Sequence, residues 1–237
     1  MSAEDSPVPS PQLSPALSQA LVGLRPVRTR RPLRTFVSVA TLSLGYAIAL
    51  LACRFPPRLS PNGFPPLANV LYVAACLATF LVLAGCAMLP ARGQVLSSGI
   101  AVGRRAAVGI GALVALNVVV AMSMVPDVAD IAIVAEAGSA GSWEALCASA
   151  PPCLMIGLTI VIVPVTLSFR ATRSVLPMGA WRVALGIGGA AGALAGLVLH
   201  LHCAVAGSAH AALVHSAVLV APAIVLGVVV WRVRDVV

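Results

Sequence analysis

Residues 183–203 read VALGIGGAAGALAGLVLHLHC, with no Asp, Glu, Lys or Arg anywhere in the run. A helix needs about 20 apolar residues to cross the hydrocarbon core of a bilayer, and this stretch has that length. Gly188, Gly192 and Gly196 recur every fourth residue, with Ala184, Ala190, Ala193 and Ala195 around them. One face of the helix is therefore nearly free of side chains and predicts close packing on a neighbouring helix, as in small-xxx-small interfaces. A glycine-rich phosphate loop is the wrong reading, because the run lies at membrane depth with no strand before it. The stretch ends on His200, His202 and Cys203, a cluster of ligand-type side chains at a membrane boundary.

Working outward, five further uncharged apolar runs of comparable length flank this one. Together they predict spans at 36–53, 67–89, 106–125, 154–169, 183–201 and 213–231. The expected fold class is all-α: a polytopic membrane protein with a bundle of six transmembrane helices. Pro164 and Pro222 fall inside the fourth and sixth spans and should kink rather than end them, since membrane helices tolerate proline where neighbours satisfy the freed carbonyl. The composition agrees. Of 237 residues, 60% are hydrophobic and 9% charged, with no lysine, which excludes an ordinary soluble domain. The formal charge of +8 does not mark a direct nucleic-acid binder, because the arginines sit in short flanks between apolar runs and aromatic residues for stacking bases are scarce.

The arginines set the expected orientation, because cytoplasmic flanks retain basic residues and translocated loops are depleted of them. Arg25, Arg28, Arg30, Arg31 and Arg34 precede the first span. Arg92, Arg104 and Arg105 lie in the second loop, Arg170, Arg173 and Arg182 in the fourth, and Arg232 and Arg234 in the tail. With both termini cytoplasmic, these thirteen face inward and only Arg54 and Arg58 face out. The third loop has no arginine and holds four of the seven acids, Asp127, Asp130, Glu136 and Glu144. A lipoprotein cleavage site at Leu50-Leu51-Ala52-Cys53 is disfavoured, because the basic region starts too far into the chain and Leu51 is bulky for such a site. The expected location is the bacterial inner membrane.

Residues 1–35 read as a separate cytoplasmic module ahead of a membrane domain at 36–237. Its Pro/Ser-rich beginning cannot bury a core. One short helix is predicted within it, with Ser14 as N-cap, Pro15 at the first helical position and Gly23 at the C-terminal cap. Leu13, Leu17, Leu21 and Leu24 then form an apolar stripe. A helix this short needs a partner to order it. The bilayer surface, with the following arginines on anionic headgroups, and a protein groove both fit.

No catalytic constellation is present, and the spans lack the ionisable groups that mark proton relays and ion pathways. The sequence predicts no enzyme. Asn117, Ser123 and Thr159 read as interhelical hydrogen-bonding groups, and Cys76 and Cys86 as small buried hydrophobes. What stands out lies at the outer face. His200, His202 and Cys203 sit at the exit of the fifth span, His210 and His215 at the start of the sixth, Cys147 and Cys153 before the fourth, and Cys53 at the end of the first. Imidazole and thiolate suit zinc and copper, so His202, Cys203 and His210 are the expected metal ligands. The cysteines also admit a disulfide in an oxidising periplasm, Cys203 pairing with Cys147 or Cys153.

Three features then carry a family likeness. Leu21-Val22-Gly23-Leu24-Arg25-Pro26-Val27 leads through a basic, proline-containing stretch into the first span. A cysteine precedes a proline-containing fourth span, followed by basic residues and a small-residue fifth span ending in Leu201-His202-Cys203. His210 and His215 open the sixth. In these the chain resembles the NrsF-like family of bacterial six-span anti-sigma factors, which hold an extracytoplasmic-function sigma factor inactive at the inner membrane. The resemblance implies a sigma-factor partner, captured through Leu17, Leu21, Leu24, Arg25, Arg28, Arg30 and Arg31. It also implies one periplasmic cysteine before span four, where this chain offers both Cys147 and Cys153; the outer cluster of Cys147, Cys153, Cys203, His200, His202, His210 and His215 is the expected sensor of a metal or oxidant. A small metal-handling or transport protein using the same outer ligands is the alternative.

Overall fold

The computed structural model describes residues 31–57, 65–89, 99–123, 143–172, 180–203 and 208–234, and all of its regular structure is helical. The chain divides into two units, Met1–Arg31 and Pro32–Val237. Leu17, Leu21, Leu24, Arg25, Arg28 and Arg30 lie outside the described residues, and Arg31 is exposed.

Among the described residues the second unit holds six long helices: α1 (Pro32–Cys53), α2 (Pro66–Met88), α3 (Gly99–Met122), α4 (Trp143–Thr172), α5 (Ala180–His202) and α6. The last is a composite. A short opening turn, Ser208–His210, passes through a π-helical turn, Ala211–His215, into a regular α-helix, Ser216–Arg234. Pro32 and Pro66 open α1 and α2 at the position where a missing N–H costs least. All six are long and apolar enough to cross a membrane, so the chain is an all-α, multi-pass membrane protein.

Several helices outrun the apolar spans read from the sequence. Helix α3 begins at Gly99 rather than 106, taking in Arg104 and Arg105, and α4 begins at Trp143 rather than 154. Apolarity delimits what sits in hydrocarbon, whereas backbone hydrogen bonding continues beyond it. Helix α4 also runs through Pro151, Pro152 and Pro164, and α6 through Pro222, as expected for the two prolines at membrane depth.

The centre of the bundle is α5. Its most apolar 18-residue window is 94% buried, against 22–39% for the other five spans. It packs on α6 most extensively, then on α2, α4 and α3. The small residues allow this. A methyl group built on Gly188 would meet the Pro222 carbonyl and lie 2.6 Å from the Ala223 Cα, and one on Gly192 would meet the Leu219 carbonyl. The glycine face thus lies backbone to backbone on α6. On another face, Gly186 approaches Val102 of α3 and Gly189 approaches Ile110.

Two expectations about polar side chains are corrected. Asn117 does bond between helices, donating to the Ala211 carbonyl at 2.9 Å and to Ser216 Oγ at 3.0 Å. Ser123 and Thr159 instead donate to carbonyls of their own helices, Val120 and Met155, because a hydroxyl on so short a stem reaches the preceding turn first. Cys76 is fully buried as expected, whereas Cys86 is only half-buried and accepts a 3.5 Å contact from the Arg105 guanidinium.

Candidate functional site

At its exit α5 presents His200, His202 and Cys203 in quick succession, and each engages a different neighbour. His200 is buried, donates from Nε2 to Asn69 Oδ1 at 2.6 Å and lies against the Tyr72 ring with centroids 4.4 Å apart. It is therefore tied to α2. His202 donates from Nδ1 to the Pro56 carbonyl at 3.2 Å and tilts against the Phe55 ring, which ties it to the segment leaving α1. Cys203, whose N–H closes the helix on the Leu199 carbonyl at 2.7 Å, turns toward α4 and α6.

There it meets the site. Cys203 Sγ lies 3.6 Å from Cys153 Sγ and 3.6 Å from His210 Nε2. All three ligand atoms fall within 4.8 Å of one another, and all three residues are buried. A sulfur separation of 3.6 Å is far beyond a disulfide bond of about 2.05 Å, so the cysteines stand as a reduced pair in contact. Cys203 lies just past the apolar span, and its thiol is drawn below the ordinary thiol range. The hydrogen bond with Cys153 is the main cause; His210 and His215 add to it, against burial, which pushes the other way. The thiolate is the form that attacks electrophiles and binds metals, so this arrangement primes Cys203 for both.

The π-helical turn positions the histidines. Its wider winding carries His210 at its head and His215 at its end, and the two rings meet edge to face with centroids 5.7 Å apart. Asn117 of α3 holds this turn through the Ala211 carbonyl and Ser216. His215 is 2% exposed, and among the described residues neither of its ring nitrogens has a partner in hydrogen-bond geometry.

Of the metal ligands expected from the sequence, Cys203 and His210 come together and His202 does not. Cys153 takes its place, because His202 is engaged by Pro56 and Phe55. Cys153 is also the cysteine set against Cys203; Cys147 lies on α4, with its side chain outside the described residues. His200 belongs to the Asn69–Tyr72 cluster, and Cys53 is exposed. The reading by residue type missed Asn69 and Tyr72, although Asn69 is an amide inside the second apolar span; Asn117 was read as an interhelical hydrogen-bonding group, though not as the support of this site.

The group of two sulfurs and one imidazole can take a soft or borderline metal ion such as zinc or copper, or cycle between dithiol and disulfide. No protein-family profile, curated protein or solved structure matches this chain.

Proposed function

We propose that the protein is an inner-membrane anti-sigma factor, with both termini cytoplasmic, whose N-terminal segment holds an extracytoplasmic-function sigma factor until the outer thiol pair changes state. The observation that carries the sensing half is the contact of Cys153 with Cys203 at 3.6 Å, buried, with His210 against the same sulfur. Two cysteines on neighbouring helices form a buried reactive pair where a change in bonding alters how α4 and α5 meet. The capture half rests on the sequence: the stripe of Leu17, Leu21 and Leu24 followed by Arg25, Arg28, Arg30 and Arg31, together with the resemblance to NrsF-like anti-sigma factors.

A chemical route follows from the pair. The Cys203 thiolate attacks a hydroperoxide oxygen, giving a sulfenic acid and releasing the alcohol or water. The Cys153 thiol then displaces water from that sulfur, leaving a disulfide, so the two thiols supply the two electrons that reduce the peroxide. A soft metal ion would bridge the same sulfurs in its own way. Neither route makes the protein an enzyme.

The metal-handling alternative needs polar groups continuing across the bilayer. Among the described residues the buried polar side chains are few and scattered, and Asn117 is occupied in holding the π-helical turn. The test of the capture half is recovery of a sigma factor with the affinity-tagged full-length protein from detergent extract, compared with the Leu17→Asp, Leu21→Asp double variant. Selective loss in the variant is expected; equal recovery from both would remove the capture surface.

A further inference from the structure

We propose that Cys153, Cys203, His210 and His215 form a closed binding site for one tetrahedral zinc ion. Only the consequence for signalling rests on the anti-sigma reading; the site itself stands on its own geometry. A tetrahedral zinc ion, with Zn–S near 2.3 Å and Zn–N about 2.0–2.1 Å, holds its ligand atoms roughly 3.5–3.8 Å apart. Two edges of the trio already have that length, Cys153 Sγ to Cys203 Sγ and Cys203 Sγ to His210 Nε2, at 3.6 Å each. The third lies within 4.8 Å, so it closes with a shift of about 1.3 Å or less.

His215 supplies the independent observation. A buried imidazole ordinarily has partners for its polar nitrogens, yet among the described residues both of these lack one in hydrogen-bond geometry, while the ring stands edge-on to that of His210. His215 is not among the three residues whose ligand atoms all fall within 4.8 Å of one another. A turn of its side chain would bring a nitrogen to the fourth vertex and convert an unsatisfied buried group into a ligand.

Charge selects the ion. Binding displaces the two thiol protons to solvent, and two thiolates with two neutral imidazoles around Zn²⁺ sum to zero. A buried site at the edge of the hydrocarbon tolerates a neutral centre far better than a charged one, and a monovalent copper ion in the same ligands would leave a net negative charge. Two sulfurs and two nitrogens with no vertex left for water make a structural or regulatory site. The ligands come from α4, from the residue just past α5 and from the start of α6, so the ion would clamp three helices at one end of the bundle.

The test uses the full-length protein in detergent, reduced, stripped of metal and titrated with Co²⁺ alone. One Co²⁺ per chain should bind with the intense visible bands of tetrahedral cobalt and a thiolate charge-transfer band, and Zn²⁺ should displace it. His215→Ala should weaken binding by about 100-fold or more, because loss of a mere outer partner of a ligand costs about 10–100-fold. His215→Cys should keep tetrahedral binding with a stronger charge-transfer band, which separates loss of a ligand from loss of the fold. Absence of tetrahedral Co²⁺, or unchanged affinity and spectrum in His215→Ala, would overturn the site. Sigma-factor recovery is scored on the same preparations. Tetrahedral cobalt without a sigma factor would leave the zinc site standing and remove the capture reading, and the reverse result would do the opposite.

Discussion

At the scale of single residues, the chemistry concentrates on Cys203, held between the Cys153 sulfur and the His210 ring. Peroxide treatment of the membrane-embedded protein should yield a Cys153–Cys203 linked peptide by mass spectrometry, and recovery of a Cys147–Cys203 link in its place would refute the pairing. In a thiol-labelling experiment, exposed Cys53 should react with a water-soluble maleimide while Cys76, fully buried against the core, should react only after denaturation. The choice between Cys147 and Cys153 was not legible in the sequence. It depends on whether the chain before the fourth span is loop or helix. Because α4 starts at Trp143, the two cysteines lie on one helix six positions, or about 9 Å of axis, apart, and Cys153 is the one set against Cys203. The exclusion of His202 was legible in principle. At about 100° per residue, His200 and Cys203, three positions apart, fall within about 60° of each other on one face, whereas His202 stands about 100° from Cys203 and points elsewhere.

At the scale of elements, the α5–α6 contact was legible almost in full, because Gly188, Gly192 and Gly196 announce a face that admits another backbone. What spacing alone does not name is the partner helix. Gly188→Leu or Gly192→Leu would drive a side chain into the backbone of α6 and should destabilise the bundle by about 1–3 kcal/mol or more, read as a lowered thermal midpoint in detergent. An unchanged midpoint would mean that the two helices do not meet on this face. The π-helical turn had no counterpart in the sequence reading, which takes the residues before 213 as a short loop and 213–215 as the ordinary start of the sixth span. Its support by Asn117 is testable separately. Asn117→Ala removes two interhelical hydrogen bonds, each worth on average about 0.6 kcal/mol in a membrane bundle, so it should cost roughly 1 kcal/mol and loosen His215.

At the scale of the whole molecule, six spans were legible from composition and run length, because hydrocarbon leaves the backbone few alternatives to a helix. The arginine distribution predicts that both ends of the chain face the cytoplasm. Green fluorescent protein fused after Val237 should fluoresce and alkaline phosphatase fused there should be inactive; the opposite pattern would invert the bundle and place the thiol site inside the cell. Energetics constrain the switch. Moving a two-state equilibrium from 1:99 to 99:1 needs about 5.5 kcal/mol of differential stabilisation. A disulfide typically contributes about 2–4 kcal/mol, whereas a structural zinc site can contribute about 10 kcal/mol or more. A thiol switch alone therefore suits a nearly balanced bundle, and loss or gain of an ion could drive a strongly biased one. The most direct measurement of the central claim is co-purification of a sigma factor with the tagged full-length protein, before and after peroxide treatment, in the wild type and in Cys203→Ser. Recovery before treatment, loss after it, and no peroxide-induced loss in Cys203→Ser is the predicted result. Peroxide-independent recovery in the wild type, or no sigma factor at any stage, would contradict it.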